Sequence, residues 1–228
     1  MKREKEVLLD QLEESVPLRE KRVLEVGCGW GRLSALIAER CGSLVGVDPN
    51  PDSIATAQQR LLERSLTNAV FAVGSAEHLD FADNSFDIIF FALSFHHVPI
   101  ELMPRAIDEA LRVVKKNGYI VFVEPAMDGS AFDAEKLFGT GDEDEDKEKV
   151  AAYRAMMEHP GLRLVQEIPN ETVLHFDSVD DYIKSMLPTR NHDQIRPFLE
   201  ERNFTFRAER RIVIFRPKGK GILFHSAQ

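Results

Sequence analysis

The chain has 228 residues, of which 43% are hydrophobic and 29% charged, and it carries a formal net charge of −9. That length and balance suit one α/β domain with a substantial core, and the surplus of acid works against an electrostatic grip on nucleic acid or an anionic membrane. No apolar run approaches the ~20 residues that span a bilayer, and residues 1–15 lack the apolar core of a signal peptide. The two cysteines, Cys28 and Cys41, stand at opposite ends of a helix and too far apart to bridge, so both are expected as free thiols in a cytoplasmic protein.

In chain order, Val7, Leu8, Leu9 and Leu12 give residues 1–15 a helical apolar stripe, which suits a helix packed on the body of the protein or a lid over a ligand. Residues 22–27 read as a strand that carries Glu25 and runs into Gly27, Gly29 and Gly31, and a helix over 31–40 follows at once. A strand, a tight glycine turn and a helix start make a βα junction of the kind that holds nucleotide-like cofactors. There the backbone must approach the ligand closely, and the free N–H groups of the helix start face it. A dinucleotide fold would place its third glycine at position 32, where this chain has Arg32, so the spacing argues against a pyrophosphate binder.

Ser43–Asp48 is a second apolar strand ending in an acid, and Pro51 sits in the first turn of the helix that follows. A third strand, Ala69–Val73, leads into G-S-A-E-H-L-D-F; a fourth, Phe86–Ala92, is apolar on both faces and leads into L-S-F-H-H-V-P. A helix over 100–115, a turn at Asn117-Gly118 and a fifth strand over 119–124 complete a parallel sheet. Its order reverses between the first and fourth strands, opening a crevice at their carboxyl ends.

Beyond Pro125 the pattern loosens. Residues 139–148 are an acidic stretch that reads as a solvated loop, because an EF-hand would need glycine and glutamate where Lys147 and Tyr153 stand. Helices are expected over 150–158, Val179–Met186 and 194–202, and two short strands over 162–176 turning at Pro169-Asn170. A closing hairpin is expected from 205–215 and 221–226, with the late basic cluster (Arg207, Arg210, Arg211, Arg216, Lys218 and Lys220) as its solvated face. The expected organisation is one domain: an N-terminal helix or lid over 1–20, a core over 21–125, a substrate-covering helical and β-hairpin cap inserted over 126–203, and the hairpin over 204–228.

The run E-V-G-C-G-W-G, with Asp48 beyond the next helix, resembles the class I S-adenosylmethionine-dependent methyltransferases, and within them the small-molecule branch of the ubiquinone- and menaquinone-biosynthesis type. The resemblance is continuous over 23–123. It implies a Rossmann-like, seven-stranded, mostly parallel sheet with helices on both faces and the last strand antiparallel. It also implies S-adenosylmethionine as cofactor, S-adenosylhomocysteine as product, and a small-molecule acceptor methylated at oxygen, nitrogen or carbon.

Carried over residue by residue, Glu25 would sit near the cofactor's amino-acid end, and Gly27, Cys28, Gly29 and Gly31 would shape its loop. Asp48 would accept the ribose hydroxyls, and Pro49 and Ser53 would pack near the adenine. Ser75 stands where the family carries an adenine-binding aspartate and accepts more weakly than a carboxylate; Ala76 would offer its N–H beside Glu77. Ala92 and Leu93 would turn carbonyls to the ammonium group. His96 and His97 fall where the family often carries histidine; His97 is either a contact or general base for the acceptor or a structural hydrogen-bonder, and His96 is the weaker candidate. Glu124 would either orient an acceptor or cap a helix.

The signature of methylases that act on amide or base nitrogens is missing where L-S-F-H-H-V stands, so DNA is not an expected substrate, and no motif of metal-ligand spacing occurs. Two other readings stay open: a non-catalytic protein that keeps the cofactor pocket for regulation or assembly, and a nicotinamide-dependent oxidoreductase.

Overall fold

The computed structural model describes residues 1–3, 7–140 and 145–219. Five parallel strands form its centre: β2 (Arg22–Val26), β3 (Ser43–Asp48), β4 (Ala69–Val73), β5 (Phe86–Ala92) and β6 (Val114–Pro125). β8 (Thr205–Pro217) pairs antiparallel to β6, and β7 (Leu162–His175) antiparallel to β8. A two-residue strand β1 (Lys2–Arg3) adds to the outer side of β7, so the spatial order is β1-β7-β8-β6-β5-β2-β3-β4. The order reverses between β2 and β5, as expected, and the glycine loop and the Leu93–Pro99 segment leave the sheet side by side there.

Strand alternation builds two apolar layers. On one face Val23, Leu44, Ile88 and Val121 meet α1 (Leu8–Glu13), α2 (Arg32–Ala38) and α3 (Pro51–Glu63). On the other, Leu24, Ile89, Phe91 and Phe122 meet α4 (Met103–Val113) and α6 (Asp146–Glu158). A third cluster joins α5 (Gly129–Phe138), α7 (Val179–Met186) and α8 (His192–Glu201) to the far ends of β7 and β8 through Phe138, Tyr182 and Phe206. α3 begins where it should, with Pro51 in its first turn and the Asn50 side chain accepting from the Asp52 N–H at 2.8 Å.

The structure corrects the reading of the chain's second half. Residues 162–175 form one continuous strand rather than a pair turning at Pro169-Asn170: Pro169 lies opposite Arg211 and Asn170 opposite Arg210. The proline is tolerated because, among the described residues, the outer neighbour of β7 is only Lys2–Arg3, paired far from it at His175 and Leu174. The hairpin partner of 205–217 is thus β7; residues 221–226, expected in that role, lie outside the described residues. α5 and the start of α6 at Asp146 were not anticipated; α5 ends just before the stretch read as an acidic loop and α6 begins within it, and residues 141–144 of that stretch lie outside the described ones.

The late basic residues do not form one solvated face. Arg210 is buried, Arg207 pairs with Glu171, Arg211 with Glu167 at 3.0 Å, and Arg216 donates to the Tyr119 hydroxyl. The N-terminal helix packs on the body of the protein. Leu8, Leu9 and Leu12 are buried on the sheet while Val7 stays exposed, and Ser15 and Gln11 hydrogen-bond Gln166 and Asn170 of β7. Among the described residues no helix is long and apolar enough to cross a membrane.

Phe122 ties three strands together: it stacks on Phe91 with ring centres 4.9 Å apart and meets Phe95 and Phe215 edge-on. Phe122→Ala should cost about 3–5 kcal/mol of stability, read as a lower urea midpoint with an unchanged slope.

Candidate active site

The glycine loop is built by backbone conformation. Gly27 has φ +73°, and a Cβ there would fall 2.4 Å from the Ser94 Cβ, so only glycine lets the tips of β2 and β5 close on each other. Ser94 fastens the same junction by donating its hydroxyl to the Val26 carbonyl at 2.7 Å. Gly29, at φ +51°, has nothing within 4 Å of where its Cβ would be: the loop backbone here faces open space.

Asp48, at the end of β3, crosses to the loop. One carboxylate oxygen accepts the Gly29 N–H at 2.8 Å and the other the Asn50 N–H at 2.9 Å. Each oxygen keeps a lone pair for a further donor, so the acid is both oriented and available.

These tips enclose a cavity of about 460 Å³. Of the residues expected to hold a cofactor, Gly27, Gly29, Asp48, Pro49, Ser75, Ala76, Glu77, Leu93 and His97 line it. Leu93 does so with its backbone at φ +55°, a left-handed conformation rare for a leucine, while its N–H is held by the Val123 carbonyl at 2.7 Å. Val26, Gly74, Phe91, Ser94, Val98 and Pro99 also line the cavity and were not anticipated; only their nearness in sequence to the loops after β2, β4 and β5 could have suggested them.

Six expected residues lie outside this lining. Gly31 backs onto Ala57 and Phe71, Ser53 is buried in the first turn of α3, and Ala92 is still within β5. The Cys28 side chain turns into the sheet against Gly46, and its burial pushes the thiol well above its ordinary pKa. The Glu25 carboxylate turns under α2 and accepts the Ser34 hydroxyl. Its burial pushes it up to about 7, with the Ser34 bond and the Arg32 charge opposing the rise. His96 is buried beneath the cavity rim.

A histidine and carboxylate cluster adjoins the cavity. Glu124, at the end of β6, accepts the Phe95 N–H at 3.1 Å and faces the His96 Nδ1, so it both caps the short 3₁₀ turn over Phe95–His97 and fixes the His96 ring. His97 is half-exposed, and its Nδ1 lies 3.1 Å from Glu145 at the start of α6. Lys149 of α6 binds Glu135 at 2.9 Å and stands 3.8 Å from Glu145. Glu145 was missed because it sits in the acidic stretch that reads as solvent-facing.

Residues 23–118 match the family model of a methyltransferase domain. Among curated proteins, YcgJ of Bacillus subtilis, described as an uncharacterized methyltransferase, is 32% identical over 105 residues, covering 46% of this chain and 41% of that one. The phthiotriol/phenolphthiotriol dimycocerosates methyltransferase of Mycobacterium leprae is 32% identical over 111 residues, covering 48% of this chain and 39% of that one. In sequence the chain thus spans about two fifths of the length of these relatives. The crystal structure of YcgJ superimposes with a TM-score of 0.62 at 22% identity, covering 93% of this chain and 98% of that one. A SAM-dependent methyltransferase from Aquifex aeolicus gives 0.54 at 17% identity, over 90% and 89% of the two chains.

Over residues 23–118 the core matches a methyltransferase domain. Its strand order and switch point are those expected from the resemblance, and the match in sequence covers β2 to the start of β6.

Within this methyltransferase core the raised Glu25 has a consequence for stability. The folded chain keeps its proton up to about pH 7, whereas an ordinary carboxylate releases it near the reference value of 4.5. The unfolded state therefore binds fewer protons in that window, and stability falls as pH rises through it, levelling off above about 7. Glu25→Gln should remove this decline, gaining up to about 3 kcal/mol at pH 8 relative to pH 5; urea unfolding at the two pH values measures it.

Proposed function

We propose that this chain transfers the methyl group of S-adenosylmethionine to an oxygen, nitrogen or carbon atom of a small molecule. The observation that carries the reading is Asp48. Its carboxylate is held by the glycine loop on one oxygen and by Asn50 on the other, and it faces a cavity whose loop wall, at Gly29, has room for a ligand against bare backbone. Such a site fits an adenosyl group: an acid for the sugar hydroxyls, a glycine wall at the amino-acid end, and Ser75 to Glu77 on the side where the base would lie.

When bound, S-adenosylmethionine supplies an electrophilic methyl group on a sulfonium that leaves as a neutral thioether once the acceptor's lone pair displaces it. The protein's part is orientation. Holding the reacting atoms about 3–3.5 Å apart and in line accounts for roughly 7–11 kcal/mol of such a barrier. Asp48 fixes the sugar, the Leu93 carbonyl takes the ammonium group, and Val98 and Pro99 wall the acceptor side. For a hydroxyl or amine acceptor, His97 takes the proton lost as the new bond forms, with Glu145 orienting its ring through Nδ1. Glu25 contributes by holding α2 to the strand below the loop rather than by touching the cofactor. The acceptor is a small molecule rather than nucleic acid, in keeping with the acidic net charge.

Isothermal titration with S-adenosylmethionine should show one site per chain, and NADH should show none. Asp48→Ala should weaken the cofactor at least about tenfold, because two charge-assisted hydrogen bonds are lost. Equal affinity in the variant would overturn the assignment. Release of labelled methyl groups onto members of a metabolite panel then separates an enzyme from a protein that only binds. His97→Ala should lower turnover about 10²-fold or more for a hydroxyl acceptor while leaving cofactor affinity within a factor of about three.

A further inference from the structure

We propose that His96, His97 and Glu145 form a site for a first-row divalent metal ion at the rim of the cavity. The three side chains each offer one ligand atom, and these atoms lie within 4.8 Å of one another. The His97 Nδ1 is 3.1 Å from one Glu145 oxygen, and the His96 Nε2 is 3.6 Å from the other. Donors bound at about 2.0–2.2 Å to a common ion stand about 3–3.6 Å apart, a spacing the two carboxylate–imidazole contacts already have, while the full set of ligand atoms lies within 4.8 Å.

The second observation is on the far side of the His96 ring. Glu124 faces its Nδ1, and in the neutral ring with its proton on that side Nε2 is the free ligand atom. The Nε2 lone pair is thereby turned toward the Glu145 carboxylate. Two electron-pair donors then confront each other, with the imidazole only 5% exposed and the carboxylate 18%. Either a second ring proton or a metal ion satisfies such a pair, and a carboxylate backing a ligating imidazole is the arrangement that orients metal-binding histidines. Glu124 is itself fixed by the Phe95 N–H at 3.1 Å, so the second shell is built before any ion arrives.

The donors also select the ion. Two imidazoles and one carboxylate suit Zn²⁺, Co²⁺ or Fe²⁺ and disfavour Mg²⁺ and Ca²⁺, which prefer oxygen. Lys149, 3.8 Å from one Glu145 oxygen, is neutralised by Glu135 at 2.9 Å and serves to steady Glu145 at the start of α6. Three protein ligands leave further coordination positions open, and His97 is the ligand that also lines the cavity. An acceptor hydroxyl or thiol entering there would bind the ion and lose its proton to solvent more readily. That use rests on the methyl-transfer reading; the site itself does not. In such an acceptor complex Nδ1 of His97 binds the ion and the metal takes over the activating role assigned above to the free imidazole.

The test uses the full chain, stripped with a chelator and titrated with Zn²⁺ and, separately, with Co²⁺. One equivalent should bind with micromolar affinity or better, and the Co²⁺ form should show visible d–d absorption. Glu145→Gln and His97→Ala should each weaken binding at least about 100-fold, and Glu124→Gln about 10–100-fold through the His96 ring. Circular dichroism and the urea midpoint of each variant confirm that it is folded. Absence of stoichiometric uptake by the stripped parent, or folded variants that bind as tightly as the parent, overturns the proposal. Titration of the stripped chain with S-adenosylmethionine keeps the two readings apart: cofactor binding without metal uptake defeats the metal site alone, and metal uptake without cofactor binding supports the site while defeating the methyl-transfer reading.

Discussion

Two loops of the crevice, the one after β2 and the one after β3, meet at one carboxylate. Asp48 ends β3, yet its hydrogen bonds run to Gly29 in the loop after β2 and to Asn50, which in turn caps α3. A charged group half out of water is stable only where donors are aimed at it, and here both donors are backbone N–H groups that the fold would otherwise leave unpaired at loop ends. The acid therefore organises the loop as much as the loop presents the acid. The other side of the crevice closes through a steric requirement rather than a charge: Gly27 must lack a side chain because Ser94 is already there.

The first half of the chain was legible because its signals are local. Each parallel strand is a short, two-sided apolar run, each loop at the crevice carries glycine or proline, and the acids sit at strand ends. The second half depends on partners distant in sequence. Nothing near Pro169 reveals that it lies within a strand, since that follows only from its pairing opposite Arg211 of β8 on an edge that, among the described residues, meets only Lys2–Arg3 on its outer side. The helix α5 has little apolar contrast of its own, and takes its place from Phe138 meeting Tyr182 and Phe198 of later helices.

Legibility at the site follows the same division. Residues expected to bind through backbone position, such as Gly29, Leu93 and Ala76, do line the cavity. Side-chain direction is harder to read. Glu25 and Cys28 occupy the expected positions, but strand alternation turns Glu25 toward Ser34, and the loop after the left-handed Gly27 turns Cys28 toward Gly46, both away from the cavity. Glu145 illustrates the converse: its role comes wholly from the docking of α6 beside the Phe95–His97 turn, which no spacing within residues 139–148 could disclose.

The inward turn of Cys28 makes the glycine loop chemically quiet. Only the thiolate reacts readily with peroxide, disulfides or alkylating agents, and here burial together with the nearby negative charges of Glu25 and Asp48 suppresses that form. A sulfur placed in a loop that lines the cavity is thus shielded from redox change, and the loop keeps its shape through oxidative conditions that would modify an exposed cysteine.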